Sequence, residues 1–503
     1  MSTKAGHPQH GYSGAYDVVS RNVANYLRAN EDTRHTPLSG EWTDERSSTT
    51  IEIEPDTIRM LEWRGFLTSK TAADEHDAVR RLAERRHTFE RVSRPSYILM
   101  PSYQCNLRCP YCFQDHMRTR PELSHLLKTM SKDMARRIMK AMTSIDAMHP
   151  GAEGKPRRIT LFGGEPLMRE NREFVGWWID ELKAASPCEI SAVTNATQLD
   201  AYADLLGPHA IRHIQITIDG PPAVHDQRRI HADGSGSFEL IAANMRFALE
   251  RGVQVAVRVN VDRTNIAQLP ELAREIIARG WYEHPAFRAY AAAVNASNEQ
   301  TEKKDTYNSY ALSVRMEELR ASFPELRAIA RPSDELRGTV LRILSGDAQP
   351  WQMYKASYCG AHSTMYVFDA FGDIYACWER TGDPSIKIGS IDQNGDPNLR
   401  HRKGPAIVTP GKRLLPIAGK PLVDDIDTWR ERTISTNETC ATCRYAFYCG
   451  GGCAAEAMDH RGSFHTNFCN GFQQRFRVAA ADAYDDVRRG RLASLSSAVG
   501  CGE

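Results

Sequence analysis

From residue 96 onward, short apolar, β-prone runs alternate with longer amphipathic segments. Runs of this length and composition predict buried strands. Six of them occur: YILMPSY (97–103), RRITLF (157–162), EISAVT (189–194), HIQITI (213–218), VQVAVRVN (253–260) and FRAYAAAV (287–294). Strands that alternate with helices favour a parallel α/β array, either a partial barrel or a doubly wound sheet.

Helical periodicity fills the intervals between these strands. In SKDMARRIMKAMTSID, four apolar side chains fall on one helical face: Met134, Ile138, Met142 and Ile145. Ser131 is suited to cap the N-terminus of this helix. The segment SFELIAANMRFALERG predicts a second helix, with Gly252 as its C-terminal cap.

The pattern divides the chain into five regions. Residues 1–95 predict a small, mostly helical N-terminal domain, and residues 96–300 hold the strand and helix array. Residues 301–349 predict a helical connector. Residues 350–472 are rich in Cys and Gly with little periodicity, so we expect metal ligation to hold them together. Residues 473–503 predict a closing helix and a tail.

Composition is that of an ordinary globular protein. Hydrophobic residues make up 41% of the 503 residues, charged residues 25%, and the net charge is +1, so neither nucleic acid nor an anionic membrane is an expected partner. The start, MSTKAGHPQHGYSG, has no apolar signal region, and no apolar run is long enough to span a membrane. We therefore expect a cytoplasmic protein, whose twelve cysteines are metal ligands or catalytic groups rather than disulfides.

Three cysteines crowd one short stretch, SYQCNLRCPYCFQD (102–115), directly after the first predicted strand. In parallel α/β folds, chemistry gathers at this end of the strands. Four thiolates normally hold a [4Fe–4S] cluster, one for each iron, so Cys105, Cys109 and Cys112 would leave one iron open. An open metal position is typical of catalytic sites. The alternatives are a chance triplet or a zinc site completed from elsewhere in the chain.

The spacing C-x3-C-x2-C, with Tyr111 before the last cysteine, resembles the signature of the radical S-adenosylmethionine (radical SAM) superfamily. FGGEPLM (162–168), directly after the second strand, strengthens the resemblance. It implies a partial (β/α)6 TIM-like barrel and a [4Fe–4S] cluster whose open iron binds S-adenosylmethionine. The family cleaves this cofactor to a 5′-deoxyadenosyl radical, which abstracts hydrogen from an unactivated bond.

The resemblance also implies the residues that contact S-adenosylmethionine. The loop that hydrogen-bonds its methionine amino group, the GGEP loop, would be formed by Gly163, Gly164, Glu165 and Pro166. Asn195 lies in TNAT (194–197), where many family members have TNG, so Ala196 departs from the pattern. Thr217 and Arg228 would contact the carboxylate of the cofactor, for which the planar guanidinium is well suited. A surface ion pair is the alternative role for Arg228.

Seven further cysteines, in a segment that includes C-x2-C-x5-C-x3-C, resemble the SPASM extension of radical SAM enzymes, which carries two auxiliary [4Fe–4S] clusters. The family pattern implies that Cys359, Cys377 and Cys453 hold the first cluster. The second would be held by Cys440, Cys443, Cys449 and Cys469. The first cluster would then have either an open iron that binds a substrate thiolate, or a further ligand such as His362, Asp369 or another side chain. A structural zinc-ribbon pair is the competing interpretation of this segment.

The combined motifs resemble those of peptide maturases. They predict an enzyme that forms a thioether or C–C crosslink in a ribosomally synthesised precursor peptide, with flavodoxin or ferredoxin as electron donor. Residues 16–95 would bind the peptide leader or act as a structural cap. Sulfatase-activating relatives have a catalytic Asp directly after the cysteine equivalent to Cys377; here Trp378 and Glu379 follow, which leaves Glu379 as the candidate base.

Two alternatives remain open from sequence. The first is a protein-directed maturase of the anaerobic sulfatase or quinohaemoprotein kind. The second is a non-enzymatic iron–sulfur redox or electron-transfer protein, which would have no need for the GGEP loop.

Overall fold

The structure, a computed structural model, describes residue 17 and residues 19–29, 53–296, 298, 300–402 and 423–490. Within these residues, six strands pair in parallel and in chain order. They are β1 (Ser96–Leu99), β2 (Arg157–Leu161), β3 (Cys188–Thr194), β4 (Ile211–Thr217), β5 (Gln254–Val261) and β6 (Phe287–Ala293). All six lie where the apolar runs predict them, and the fold is the expected TIM-like partial barrel.

The first strand is shorter than its apolar run. The ladder ends at Met100, whose amide donates to the Phe368 carbonyl at 2.9 Å. Pro101 has no amide proton to continue the ladder, so the chain leaves the sheet there. This exit carries the three cysteines out over the C-terminal edge of the sheet.

Helices cover the outside of the sheet and flank it at both ends. Those before and beside the six strands are α1 (Arg21–Ala29), α2 (Pro55–Arg64), α3 (Ala72–Arg91), α4 (Asp115–Thr119), α5 (Lys132–Ala147), α6 (Arg172–Ala185), α7 (Pro222–Arg228), α8 (Phe238–Glu250) and α9 (Leu269–Ala278). Ser131 caps α5 by accepting from the Met134 amide at 3.1 Å, as predicted. Ile138, Met142 and Ile145 of α5 are fully buried.

The Cys- and Gly-rich segment contributes more regular structure than its sequence predicts. It forms β7 (Met365–Phe368), β8 (Asp373–Tyr375), β9 (Lys387–Ile391) and β10 (Pro397–Leu399). The strand β7 pairs in parallel with β1, and β8, β9 and β10 follow in antiparallel pairs, so the sheet has ten described strands. Part of the segment thus packs into the barrel core, where Val367, Phe368 and Ile374 are buried, and metal ligation of the rest stays a prediction. Strands of three to five residues are too short for periodicity to reveal them.

The remaining helices are α10 (Ser309–Ser322), α11 (Asp334–Leu344), α12 (Ile426–Glu431), α13 (Glu438–Ala441), α14 (Ala446–Cys449), α15 (Ala454–Arg461) and α16 (Phe472–Arg488). The closing helix α16 packs against α11, and Arg337 donates to the Asp486 carboxylate across this contact at 2.8 Å. N-terminal α3 contacts the C-terminal segment, since Glu90 accepts from the Ala356 amide at 3.0 Å.

No described helix combines the length and apolarity that crossing a bilayer requires. Much of the predicted N-terminal domain, and the tail with Cys501, lie outside the described residues.

Candidate functional site

The three-cysteine loop lies over the C-terminal end of β1 and folds onto itself. The Cys112 amide donates to the Cys109 carbonyl at 3.1 Å, and the Arg108 amide donates to the Ile230 carbonyl at 2.8 Å. Cys109 is buried, and Cys105 and Cys112 are partly exposed. A tight turn and a cross-loop contact thus fix the backbone that carries all three thiols.

Two buried cations face these thiols. Arg118 donates to the Cys112 sulfur at 3.1 Å, and Asn195 approaches the Cys105 sulfur at 3.8 Å. Burial raises the pKa of Cys109 to about 12, and the Arg229 guanidinium opposes that rise. Burial likewise raises the pKa of Cys105 against the opposing charge of Arg118. Neither arginine was identified from sequence, because both lie outside the cysteine motif.

This environment fits an anionic thiolate-bound cluster. The Nε atoms of Arg118 and Arg229 are buried and have no hydrogen-bond partner, so each guanidinium has a donor left for a further acceptor. Among the described residues, no three His, Cys, Asp or Glu side chains converge as ligands of a single ion. A [4Fe–4S] cluster does not need such convergence, since each thiolate binds a different iron.

The GGEP loop packs directly on the backbone of the cysteine loop. The Gly164 amide donates to the Ser102 carbonyl at 3.1 Å, and the Glu165 amide donates to the Gln104 carbonyl at 2.7 Å. A Cβ atom on Gly164 would lie 2.0 Å from the Gln104 oxygen, and Gly163 has a φ of +135°. Both positions therefore require glycine.

The Glu165 side chain joins the loops after β2 and β3. Its carboxylate is buried and accepts from the Leu167 amide at 2.9 Å, the Thr194 hydroxyl at 2.7 Å and the Asn195 amide at 2.5 Å. Burial raises its pKa, and these hydrogen bonds oppose the rise. The buried Glu165 carboxylate therefore holds the loops after β2 and β3 together. The backbone of Gly163, Gly164 and Pro166 remains the predicted contact with the cofactor.

The TNAT loop has the backbone conformation of a turn that usually contains glycine, although the residue at that position is Ala196. Ala196 has a φ of 65°, a left-handed conformation that L-residues seldom adopt. Asn195 donates to Asn106 of the cysteine loop at 2.8 Å and accepts from Thr197 at 2.7 Å. The departure from TNG therefore leaves the turn itself in place.

Beyond β4, Arg228 is held in a charged network. It donates to Asp262 at 2.8 Å and to Thr264 at 3.0 Å, and it lies over the Tyr111 ring at 5.4 Å. Its Nε atom is buried without a hydrogen-bond partner. Thr217 is buried at the end of β4. Both residues lie at the C-terminal edge, and their contact with a cofactor stays a prediction.

Tyr111, the aromatic residue of the cysteine motif, links this network to the thiols. Its hydroxyl contacts Asp219 and accepts from Arg229 at 2.8 Å. Asp219 is fully buried and also accepts from the Asn260 amide at 3.2 Å. The motif tyrosine is thus a partly buried residue that hydrogen-bonds Arg229, the arginine whose charge acts on Cys109.

The C-terminal cysteines fall into two electrostatic groups. Burial raises the pKa of Cys453 to about 12, with Cys359 and Glu379 adding to the rise. Burial also raises the pKa of Cys377, with Cys453 the next contribution. In the second group, burial raises the pKa of Cys440 to about 12, with further contributions from Cys449, Cys443 and Cys469. The grouping parallels the division of ligands that the family pattern implies.

Neither residue named from sequence as a further ligand is free for that role. The His362 Nδ1 atom contacts the Trp429 carbonyl at 3.0 Å, and its Nε2 atom lies 3.4 Å from the Arg432 guanidinium. Asp369 accepts from the Tyr103 hydroxyl at 2.9 Å and from the Phe371 amide at 2.9 Å. Each side chain therefore already interacts with other groups of the protein.

The segment after Cys377 bridges the two cysteine regions. Trp378 stacks on Phe162, which precedes the GGEP glycines, with ring centroids 5.0 Å apart. Gln114, just beyond the three-cysteine loop, donates to Thr381 at 3.2 Å. Glu379 therefore lies in a short loop that contacts the first site on both sides.

Comparison with known proteins agrees with this geometry. Residues 99–276 match the model of the Radical SAM superfamily. The GTP 3′,8-cyclase of Brucella canis is 26% identical over 180 residues, which is 35% of this chain and 47% of that protein. The chain thus spans about half the length of the curated relatives it matches.

Solved structures share the fold over a larger part of the chain. The structure of hexahistidine-tagged anSMEcpe with bound AdoMet covers 80% of this chain and 97% of its own, with a TM-score of 0.52 and 15% identity. Native anSMEcpe with bound AdoMet and the Cp18Cys peptide covers 78% of this chain and 100% of its own, with a TM-score of 0.50 and 16% identity. At these identities, the likeness establishes the fold.

Proposed function

We propose, from the premise that residues 99–276 form a radical SAM domain, that this protein cleaves S-adenosylmethionine and uses the resulting radical to crosslink a ribosomally synthesised peptide. The crosslink would be a thioether or a C–C bond. The main support for the proposal is the pair of loops at this edge of the sheet. The GGEP loop packs on the three-cysteine loop, and two buried arginines lie beside the thiols.

The chain's own residues would prepare this site in a defined way. Cys105, Cys109 and Cys112 would hold the [4Fe–4S] cluster, which when bound supplies the electron for reductive cleavage of the cofactor. Arg118 and Arg229 would offset the negative charge of the thiolates in a buried setting, where charge interactions are strong. The rigid glycine backbone would present hydrogen-bonding groups to the methionine amino group.

On the other side of the site, Asn195, Thr217 and Arg228 would fix the orientation of the cofactor. Arg228 is anchored by Asp262, and its Nε atom lies 3.7 Å from the buried Asp219 carboxylate, so the guanidinium is held in place before a cofactor carboxylate arrives. Pre-organised groups of this kind bind without reorganisation when the ligand arrives.

A peptide substrate is supported by the fold shared with a structure that holds AdoMet and a peptide together. The loop with Trp378 and Glu379 lies between the radical SAM site and the C-terminal cysteines, where the reacting peptide would be placed. We propose that the C-terminal cysteines would hold two auxiliary clusters, which would provide an acceptor for the electron released when the peptide is oxidised, and that flavodoxin or ferredoxin would supply the first electron. Such thiolate chemistry suits the reducing cytoplasm.

A protein-directed maturase is the second candidate, because anSMEcpe shares the fold. Against it, Trp378 occupies the position directly after Cys377 where sulfatase-activating relatives have an Asp. An electron-transfer protein would not need the close seating of the GGEP loop on the cysteine loop.

The test uses full-length protein purified without oxygen and reconstituted with iron and sulfide. We expect about twelve irons per chain, from three clusters of four, and 5′-deoxyadenosine after addition of dithionite and S-adenosylmethionine. Replacing Cys105, Cys109 and Cys112 together with Ala should leave about eight irons and abolish 5′-deoxyadenosine.

Cys188→Ala is the matched control, since this thiol lies on β3 away from both cysteine groups, and it should change neither result. Clusters without cofactor cleavage would instead indicate an electron carrier. Zinc in place of iron would indicate a structural metal protein.

A further inference from the structure

The first C-terminal group contains three thiols and two carboxylates. Cys377 follows β8, and Cys453 directly precedes α15, whose first turn contains Glu456. Glu379 lies two residues after Cys377. Three thiolates leave one iron of a [4Fe–4S] cluster without a protein ligand, so one of these carboxylates is a candidate for the fourth position.

The two carboxylates differ in how many of the thiols their charge affects. The charge of Glu379 acts on all three: it adds to the effect of burial in raising the pKa of Cys359, Cys377 and Cys453. Glu456 contributes in the same sense to the pKa of Cys453, after burial and the stronger neighbours. Of the two carboxylates, Glu379 is therefore the one whose charge acts on all three thiols.

The two side chains also differ in whether they form hydrogen bonds. The Glu456 carboxylate contacts the His460 ring at 3.1 Å, one turn along α15. For the Glu379 carboxylate, no hydrogen bond or ion pair occurs within the part of the chain that the structure describes. Its loop is nevertheless held on both sides, by the stacking of Trp378 on Phe162 and by the hydrogen bond from Gln114 to Thr381.

We infer that the Glu379 carboxylate is the fourth ligand of the first auxiliary [4Fe–4S] cluster, beside Cys359, Cys377 and Cys453. This inference rests on the proposed function, because it requires auxiliary clusters in the C-terminal segment. It replaces the role of catalytic base that the sequence suggests for Glu379. An oxygen ligand among three sulfurs closes the fourth iron to exogenous ligands and makes that iron distinct from the other three.

The experiment uses the full chain with Cys105, Cys109 and Cys112 replaced by Ala, so that only auxiliary clusters remain. This parent, and its Glu379→Gln, Glu379→Cys and Glu456→Gln derivatives, are reconstituted without oxygen. Iron is counted, and electron paramagnetic resonance spectra of the reduced clusters are recorded with and without cyanide, a small ligand for open iron.

We expect the parent to hold about eight irons and to be insensitive to cyanide. Glu379→Gln should either respond to cyanide or lose about one iron. Glu379→Cys should keep about eight irons and stay insensitive to cyanide, but with an altered spectrum because sulfur replaces oxygen. Glu456→Gln should match the parent. The Cys variant also shows that the loop tolerates substitution.

Three results would overturn the inference. A parent that already responds to cyanide has an open iron. A Glu379→Gln variant with the iron content and spectra of the parent has another fourth ligand. A parent with far fewer than eight irons lacks the auxiliary clusters altogether. The formation of 5′-deoxyadenosine by the intact chain decides the radical SAM activity separately.

Discussion

At the residue scale, buried polar side chains tie the C-terminal segment to the cysteine loop. Asp369, in the turn between β7 and β8, accepts from the Tyr103 hydroxyl at 2.9 Å and from the Asp373 amide at 3.0 Å. Tyr103 lies two residues before Cys105, so this pair anchors the beginning of the loop. Burial raises the pKa of Asp369 to about 7, and the charge of Asp373 adds to the rise.

This pKa predicts a pH-dependent contribution to stability. Because the folded state holds the proton more tightly than the unfolded state, the contribution is present at low pH and is lost as the pH rises from about 4 toward 7. Between pH 5 and pH 7.5, the wild-type protein should lose more stability than Asp369→Asn, by on the order of 2–4 kcal/mol. Thermal unfolding of both proteins across this range measures the difference. Parallel pH curves would show that Asp369 does not titrate there.

At the scale of elements, the loops after β1, β2 and β3 form one interlocked unit. Amides of the GGEP loop donate to carbonyls of the cysteine loop, and Glu165 accepts from the loop after β3. Each loop leaves the C-terminal edge of a parallel strand, so sheet register sets their mutual positions. A displacement in one loop must therefore move the others.

Gly164→Ala tests this interlocking. The added Cβ would lie 2.0 Å from the Gln104 oxygen and 2.4 Å from the Tyr103 oxygen, so the two loops must separate. We expect iron at the three-cysteine site to fall and 5′-deoxyadenosine formation to drop about 100-fold. The matched control is Gly338→Ala in α11, where the new Cβ meets no atom within 4 Å. It should keep full activity and stabilise the protein by about 1 kcal/mol, and equal behaviour of the two variants would contradict the interlocking.

At the scale of the whole molecule, the C-terminal segment completes the barrel sheet. All four β1 residues pair with β2 on one side and with β7 on the other, so β1 is an interior strand. Without β7, the backbone of β1 and apolar residues such as Tyr97 and Leu99 would face solvent. Exposed apolar sheet edges promote aggregation.

A chain truncated after residue 349 should therefore be insoluble, or aggregate on purification, even though it keeps all six parallel strands. Truncation after residue 490 keeps every described strand and helix and is the control, which should remain soluble. The soluble fraction after expression, followed by size-exclusion chromatography, measures both. A soluble monomer from the shorter chain would show that the barrel folds without β7.

Local patterns in the sequence are enough to locate the strands and the cysteine loop. Apolar, β-prone residues mark the six parallel strands, because at least one face of each strand is buried in the barrel. Cysteine spacing marks the three-cysteine loop as the predicted cluster site, because neighbouring ligands must reach one compact cluster. Even the turn at Ala196 follows the family position of a glycine, although the residue itself is not one.

Contacts between groups that are distant in the chain depend on how the whole fold packs. Arg229 lies 120 residues after Cys109, yet its charge acts on that thiol, and Tyr103 bonds to Asp369 across 266 positions. The strand β7 lies beside β1, although most of the barrel separates them in the chain. Such contacts arise from packing of the sheet as a whole. Periodicity and spacing report only the conformation of neighbouring residues, and therefore could not reveal them.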